Sequence, residues 1–200
     1  VSTGYDSVAL HFHHDGQRHV VLGARGTVAM DLDSGIIPKF VFKYVGLYTS
    51  PDSIADPAPN FAGFVTALPI NNDNTTNFSF HGVSPAMVKL SLDLAGQVEY
   101  RNVVGREAVE IVDRAPKGEL SIESVAVSTK NWVELARLNT LGALSVQHGS
   151  SPGNIITVSA PAAQPIGPKY GNDGNVSTTD MGLGLIQTAA GDDELQIVFT

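Results

Sequence analysis

Apolar and polar residues alternate with a period of two through most of the chain. Between residues 27 and 33, Val28, Met30 and Leu32 are separated by Ala29 and Asp31. Successive side chains of a strand point to opposite faces of a sheet, so this alternation predicts strands with one buried and one solvated face. The predicted strands cover residues 8–12, 18–22, 27–33, 38–47, 61–70, 76–81, 87–94, 97–104, 108–114, 120–127, 143–148, 154–160, 183–188 and 194–200.

One segment departs from this alternation and has the spacing of a helix. Asn131 can cap its first turn, and Trp132 and Leu135 fall on one helical face. The pattern therefore predicts a mostly β protein, a β-sandwich or barrel formed by a single domain over residues 1–200. One short flanking α-helix is expected over residues 130–139.

Two stretches rich in proline, 48–60 and 161–180, are predicted as long irregular loops. Proline cannot donate to a sheet ladder or sit inside a helix, and glycine and small polar residues surround these prolines. Loops of this length in a small domain are commonly functional or ordered by a partner. The residues singled out in them are Pro51, Asp52, Pro57, Pro59, Pro165, Pro168, Tyr170 and Asp173.

Composition and charge narrow the classes of function. The chain has no cysteine, which excludes a disulfide framework, a thiolate nucleophile and cysteine-ligated metals. Its formal net charge of −8 argues against a positively charged surface that binds nucleic acid phosphates. Charged residues make up 16%, against about 25% in an average soluble protein, so we expect much of the surface to be covered in an assembly. No apolar run is long enough for a membrane span, and a cytoplasmic location before assembly is expected.

Two motifs suggest enzyme chemistry, and each has a simpler reading. Residues 149–153 (GSSPG) match the Gly-x-Ser-x-Gly nucleophile elbow, with Ser151 as nucleophile and His148 as its base. Pro152 has no N–H for an oxyanion, so a turn between strands is favoured. The carboxylates Glu107, Glu110, Asp113 and Glu119 lie among basic residues, which is more typical of ion pairs than of a glycosidase.

Histidines offer a candidate metal site. His11 and His13 share one face of a predicted strand, but no third ligand is evident nearby. His81 and His148 each precede a glycine at a strand end, which favours hydrogen-bonded edge histidines. We therefore expect no catalytic residue, no metal and no cofactor.

Several short segments, taken in order, carry a family resemblance. They are GARGT at 23–27, GIIPKF at 35–40, LDLAG at 92–96, YR at 100–101, DRAPKG at 113–118, IE at 122–123, HGSSPGN at 148–154, AP at 160–161 and GDDELQI at 191–197. Their order and spacing resemble the major tail tube proteins of long-tailed (siphovirus-type) bacteriophages over nearly the whole chain.

That resemblance implies a β-sandwich or barrel of the tail tube type with a flanking helix. It implies subunits that join into hexameric rings, and rings that stack into a hollow tube in the virion tail for genome passage. The implied partners are copies of the same chain, the terminator, tip and tape measure proteins of the tail, and DNA in transit. Loops 48–60 and 161–180 are then expected to act as arms between subunits.

The acidic balance has a role in such a tube, because a basic bore would hold DNA by releasing its counterions. Asp31, Asp33, Asp93 and Glu99 lie on strand faces that are predicted to be solvent-exposed, and we expect them to line the channel. Three alternatives stay open. They are a single-ring tail tip or adaptor protein of the same fold, a serine or metal-dependent hydrolase, and a carbohydrate-binding β-sandwich.

Overall fold

A computed structural model describes residues 5–200. Strands form more than half of the chain, and the helix content is a single short segment, so the predicted mostly β, sandwich- or barrel-like fold with one short helix is confirmed. In chain order the elements are β1 (Val8–His14), β2 (Gln17–Asp33), β3 (Lys39–Tyr48), β4 (Asp52–Ser53), β5 (Asn77–Phe80), β6 (Met87–Asp93), β7 (Gly96–Val103), β8 (Arg106–Arg114), β9 (Lys117–Glu123), α1 (Trp132–Arg137), β10 (Gly142–His148), β11 (Ile156–Asp173), β12 (Val176–Leu185) and β13 (Gln196–Phe199).

Contacts divide the described chain into two compact units. Unit 1 comprises residues 5–28, 41–65 and 95–114, and unit 2 comprises residues 29–40, 66–94 and 115–200. The boundary falls inside β2 and β3, so each of these strands contributes residues to both units. The expectation of a single domain stays a prediction.

Unit 2 is built on an antiparallel sheet in which β6, β9 and β12 follow the last residues of β2. The registers place Leu32 opposite Leu90, Leu90 opposite Leu120, and Leu120 opposite Met181. These four side chains are almost fully buried. The alternation in the sequence therefore corresponds to a row of apolar side chains running across four strands.

Strand β11 joins this sheet to a second group of strands. Its first residues, Ile156–Ser159, pair with β10 and β13, and β10 pairs in turn with β5, whereas its later residues pair with β12. Side chains from both groups of strands and from α1 belong to one hydrophobic cluster. The buried members are Met30, Leu32, Ile70, Phe80, Leu90, Leu92, Leu120, Ile122, Trp132, Leu144, Val146, Val158, Ala160, Ala163, Met181, Leu183 and Leu185.

The predicted loop over 161–180 is wrong, because this segment forms most of a β-hairpin between β11 and β12. The turn at its tip contains Gly174 and Asn175, both with positive φ. Pro161 and Pro168 lie within shifts of the ladder register, where a missing N–H breaks no regular pair. Pro165 pairs with Leu183 of β12, and β11 has no strand partner on its other edge there among the described residues.

Two further sequence predictions need correction. Residues 61–70, predicted as a strand, have no strand structure and continue the irregular segment that follows β4. The strands predicted at 18–22 and 27–33 form one strand, β2, which continues through a shift in the β1–β2 register where Gly23 adopts a φ of 57°. The loop predicted over 48–60 is irregular apart from β4, which pairs with the start of β2.

Unit 1 contains β1, β4, most of β3, the first part of β2, and the separate hairpin of β7 and β8. Among its described residues only Ala24, Val109 and Glu110 are buried. A unit of this size normally buries a cluster of large apolar side chains. Within residues 5–28, 41–65 and 95–114, unit 1 therefore has no hydrophobic core of its own.

Candidate functional site

The side of the unit 2 sheet that alternates with the leucine row is strongly polar. Asp31 lies opposite Ser91, and Ser91 lies opposite Glu119. Paired residues of neighbouring antiparallel strands project to the same side of the sheet. The polar sheet face, as defined here, consists of Asp31, Asp33, Lys89, Ser91, Asp93, Lys117, Glu119, Ser121, Lys169 and Asp180.

Hydroxyl groups orient two carboxylates of the polar sheet face. Ser91 Oγ donates to Asp31 Oδ1 at 2.7 Å, and Ser121 Oγ donates to Asp180 Oδ1 at 2.6 Å. These hydrogen bonds hold the carboxylates in place without cancelling their charge.

Ammonium groups offset only part of this negative charge. Lys89 Nζ lies 4.0 Å from Asp33 Oδ2, and both side chains are partly exposed to solvent. An exposed pair at this distance contributes little net attraction. The face carries five carboxylates against the ammonium groups of Lys89, Lys117 and Lys169, so its carboxylates outnumber its ammonium groups.

Three of the residues predicted to face a channel come together here. Asp31 and Asp33 lie on β2, and Asp93 lies on β6 opposite Ala29 and Lys117. Glu99 does not belong to this face, because it lies in unit 1 on β7, directly opposite Glu110 of β8. Sequence reasoning missed Glu119 and Asp180, whose place on the face depends on the pairing of strands distant in sequence.

The predicted arm residues of segment 48–60 are all exposed, and they are Pro51, Asp52, Pro57 and Pro59. Asp52 has a defined partner, because Arg18 Nε and one terminal nitrogen donate to its two carboxylate oxygens at 3.0 and 2.5 Å. The hydrogen bond from Arg18 lowers the pKa of Asp52 below its usual value. This pair connects β4 to the start of β2 within unit 1.

The predicted arm residues of segment 161–180 differ in exposure. Pro165 is fully buried and Pro168 is partly buried, so both belong to the body of the hairpin. Tyr170 is 72% exposed, and Asp173 is exposed at the end of β11. Tyr170 and Asp173 are therefore available as contact residues, as is Ile166 nearer the base of the hairpin, which is 51% exposed.

The candidate hydrolase pair is not brought together. His148 is buried, its Nδ1 lies 3.1 Å from the hydroxyl of Thr75, and its Nε2 lies 3.1 Å from the carbonyl oxygen of Leu68. A carbonyl only accepts, so Nε2 carries the proton and Nδ1 accepts from Thr75. Burial lowers the pKa of His148 below its usual value. Both nitrogens are engaged away from Ser151, which lies in an exposed turn.

The histidine and carboxylate clusters that suggested a metal site or a glycosidase do not form such a site among the described residues. His11 and His13 lie on β1, and no group of three potential metal ligands occurs among residues 5–200. Glu110 is buried in unit 1, where Arg106 donates to it and Arg101 lies 4.0 Å away. Tyr100 donates to Glu107 at 2.6 Å. The carboxylates Glu107 and Glu110 thus take part in local hydrogen bonds and ion pairs.

Unit 1 carries an extensive exposed apolar surface. On β3, Phe42 and Tyr44 stack with ring centroids 6.1 Å apart on one side, and Val41 and Val45 lie on the other; all four are exposed. Phe12 on β1 is 64% exposed. The exposed apolar surface of unit 1, as defined here, comprises Tyr5, Val8, Leu10, Phe12, Leu22, Val41, Phe42, Tyr44, Val45, Tyr48, Ile54, Phe61, Phe64, Val65, Tyr100, Val103, Val104 and Val112.

No protein-family model matches this chain, and no curated protein matches it. No helix within the described residues is long and apolar enough to cross a membrane.

Proposed function

We propose that this chain is a structural subunit of a phage tail tube. In this proposal copies of the chain form hexameric rings, and the rings stack into a hollow conduit for the genome. The observation that carries the proposal is the exposed apolar surface of unit 1, together with the near absence of buried side chains in that unit. Soluble monomers rarely expose apolar patches larger than a few hundred Å².

In the proposed assembly, neighbouring subunits bury the exposed apolar surface of unit 1. Burying one Phe, Leu or Val side chain contributes about 1.5–3 kcal/mol, so covering a few of these residues supplies a strong drive to associate. Strand β3 exposes apolar side chains on both sides, so packing against one side leaves those on the other side to be covered. Closed rings of identical subunits cover the same surface on every copy and leave no open strand edge at the ends of the sheet.

The polar sheet face supports the conduit part of the proposal. Its excess of carboxylates repels the phosphates of DNA, which carry one negative charge per about 1.7 Å of duplex axis. A wall of this kind lets DNA pass without binding it. The resemblance of the ordered sequence motifs to tail tube proteins points to the same function.

The proposal is tested by negative-stain electron microscopy of the purified protein over a range of concentrations. We expect long hollow filaments. Isolated closed rings that never stack would favour the single-ring adaptor of the tail tip or neck, and a protein that stays monomeric at high concentration contradicts both proposals.

A pair of matched variants tests the role of unit 1. Phe42→Ser removes an exposed apolar side chain from β3, and Ile36→Ser removes one from the turn after β2 in unit 2. We expect Phe42→Ser to raise the protein concentration needed for filaments by about tenfold, the effect of losing roughly 1.4 kcal/mol at one interface. Ile36→Ser is expected to assemble normally, and equal effects of the two substitutions would contradict the assignment to unit 1.

A further inference from the structure

An apolar cavity of about 160 Å³ lies within unit 2, where residues of β2, β3 and β11 line it. Met30, Leu32 and Val158 in its lining are almost fully buried and belong to the hydrophobic cluster of unit 2. Ile37, which also lines it, is 45% exposed. The cavity therefore reaches from the buried cluster to the protein surface.

The cavity offers few hydrogen-bonding groups to a ligand. Within the described part of the chain, its polar lining residues are Lys39, His148 and Asn154. Lys39 is exposed to solvent, and both ring nitrogens of His148 are already engaged with Leu68 and Thr75. Water needs about two to four polar partners, whereas an apolar cavity of about 150 Å³ stays dry and accepts benzene. The cavity is therefore suited to an uncharged apolar group with the size of one ring.

The chain carries a group of this kind in segment 57–70. This segment contains no charged residue, and its residues 61–65 lie outside the strands. Phe61 and Phe64 are 66% and 78% exposed, with ring centroids 5.7 Å apart. The backbone N–H of Phe64 donates to the carbonyl oxygen of Phe61 at 3.0 Å. This turn presents the Phe64 ring to solvent, and neither phenylalanine lines the cavity of its own chain.

The remaining exposed phenylalanines are less suited to enter a cavity. Phe12 and Phe42 belong to strands, and each stacks on a neighbouring aromatic ring. Phe199 already lies against Phe40, with ring centroids 6.0 Å apart. An exposed tyrosine would bring a hydroxyl group, which needs a hydrogen-bond partner when it is buried. Phe64 is the most exposed phenylalanine and lies outside the strands, so it is the best-fitting occupant.

We propose that the cavity of unit 2 receives the phenyl ring of Phe64 from a second copy of the chain. This contact rests on the proposed function, because the tube supplies the neighbouring copies. It removes an exposed phenylalanine from water and fills an apolar cavity, and both changes favour association. Val65 of the incoming copy is then expected to lie close to Ile37 at the mouth of the cavity.

The fit of one ring is tested with benzene on the soluble chain, below the concentration at which it assembles. The methyl groups of the three methionines are labelled with carbon-13. Met30 lines the cavity, whereas Met87 and Met181 do not. We expect a saturable shift of the Met30 signal, with half-saturation at roughly 0.1–5 mM benzene, the range open to a ligand of so few atoms. Dioxane, a polar ring of similar size, should cause little change. Equal shifts of all three signals, or no saturable shift of Met30, would overturn the proposal.

The contact between copies is tested by disulfide cross-linking, because the chain has no cysteine of its own. Val65→Cys places a thiol beside Phe64, and Ile37→Cys places one at the mouth of the cavity. The two variants are mixed and oxidised mildly, and cross-linked peptides are identified by mass spectrometry. We expect a heterodimer that joins positions 65 and 37. The control mixture replaces Val65→Cys by Val104→Cys, a fully exposed position outside segment 57–70, and should give little heterodimer.

A matched pair of substitutions tests the role of the Phe64 ring. Phe64→Ala in the Val65→Cys chain should lower the yield of heterodimer about tenfold, the effect of losing one buried ring. Phe61→Ala removes the neighbouring ring and should lower the yield less than about twofold. An unchanged yield in Phe64→Ala, or a larger loss in Phe61→Ala, would overturn the assignment to Phe64.

The outcomes separate this contact from the proposed function. Filaments that form without the heterodimer would overturn the contact and leave the tube proposal standing. A heterodimer without filaments or rings would support the contact and contradict the tube. A chain that neither assembles nor cross-links would overturn both.

Discussion

His148 shows how one buried residue stabilises a long irregular segment. Its two ring nitrogens hold the backbone of Leu68 and the hydroxyl of Thr75, on either side of the turn at residues 71–74. The next residue, Gly149, adds a backbone hydrogen bond to the carbonyl oxygen of Asn74 at 2.7 Å. These hydrogen bonds hold the irregular backbone around residues 68–75 in place. Alternation alone predicts a strand over 61–70.

The histidine network predicts a pH dependence of stability. Burial lowers the pKa of His148 and of His81 in the folded state, so the unfolded chain binds protons more readily. The stability from these residues is therefore fully present above the ordinary histidine pKa of about 6.5 and is lost as the pH falls through the lower folded values. We expect the urea midpoint of unfolding to fall between pH 7 and pH 5.

Substitution of His148 isolates its contribution to the pH dependence of stability. His148→Gln should lower stability at pH 7 and flatten the decline toward pH 5, because one of the titrating groups is gone. The matched change at the exposed His11 of β1 should preserve the full decline. A decline of the same size in His148→Gln would show that other groups cause it.

At the level of elements, the local sequence pattern predicts strands such as β6 and β10 and the helix α1, but it does not predict the β11–β12 hairpin. Alternation predicts β6 and β10 to within a residue or so, since each has one buried face. Proline content predicts a loop over 161–180, yet the register shifts and the open edge of β11 accommodate these prolines. The proline content of this segment indicates that a regular ladder of hydrogen bonds is disfavoured. Whether a ladder with bulges forms depends on the neighbouring strands.

Helix α1 offers a prediction at this level. Asn131 Oδ1 accepts a hydrogen bond from the backbone N–H of Glu134 at 3.0 Å, and the side chain of Glu134 pairs with Arg137. Asn131→Ala removes this cap and should lower the free energy of unfolding by about 1 kcal/mol. Urea denaturation followed by Trp132 emission measures the effect.

The exposed residue Asn72 provides the control for the cap. Asn72→Ala removes the same side chain from an irregular segment and should change stability by less than about 0.5 kcal/mol. A full-sized effect of this control, or no effect of Asn131→Ala, would contradict the capping role.

At the level of the whole molecule, the distribution of apolar and charged residues differs between the two units. Unit 2 has a large buried cluster and a polar sheet face, whereas unit 1 places most of its large apolar residues at the surface. The low overall charge content predicts a covered surface, and the structure assigns the exposed apolar residues mainly to unit 1. The proposed assembly accounts for both features.

The charge of the polar sheet face gives a prediction for the assembled tube. Asp31→Lys with Asp93→Lys would turn an excess of carboxylates into an excess of ammonium groups. We expect these tubes to retain duplex DNA at about 50 mM salt and to release it as salt rises to about 200 mM, because retention depends on counterion release. Co-sedimentation of DNA with filaments measures this.

The control reverses the same number of charges elsewhere. Asp56 and Asp73 are exposed and lie outside the polar sheet face, and their replacement by Lys should not cause retention inside a tube. If both pairs retain DNA equally, the polar sheet face does not line the conduit.

The sequence by itself determined the class of the fold, the position of the helix and the wet side of individual strands. Local periodicity encodes these features, because a residue's side of a strand depends only on its immediate neighbours. The joining of Asp31, Asp33 and Asp93 with Glu119 and Asp180 into one face was decided by the tertiary structure, as was the pairing of Glu99 with Glu110 in the β7–β8 hairpin. The hairpin over 161–180 and the exposure of most apolar side chains in the described part of unit 1 were decided there too, since strand pairing and burial depend on residues far apart in the chain.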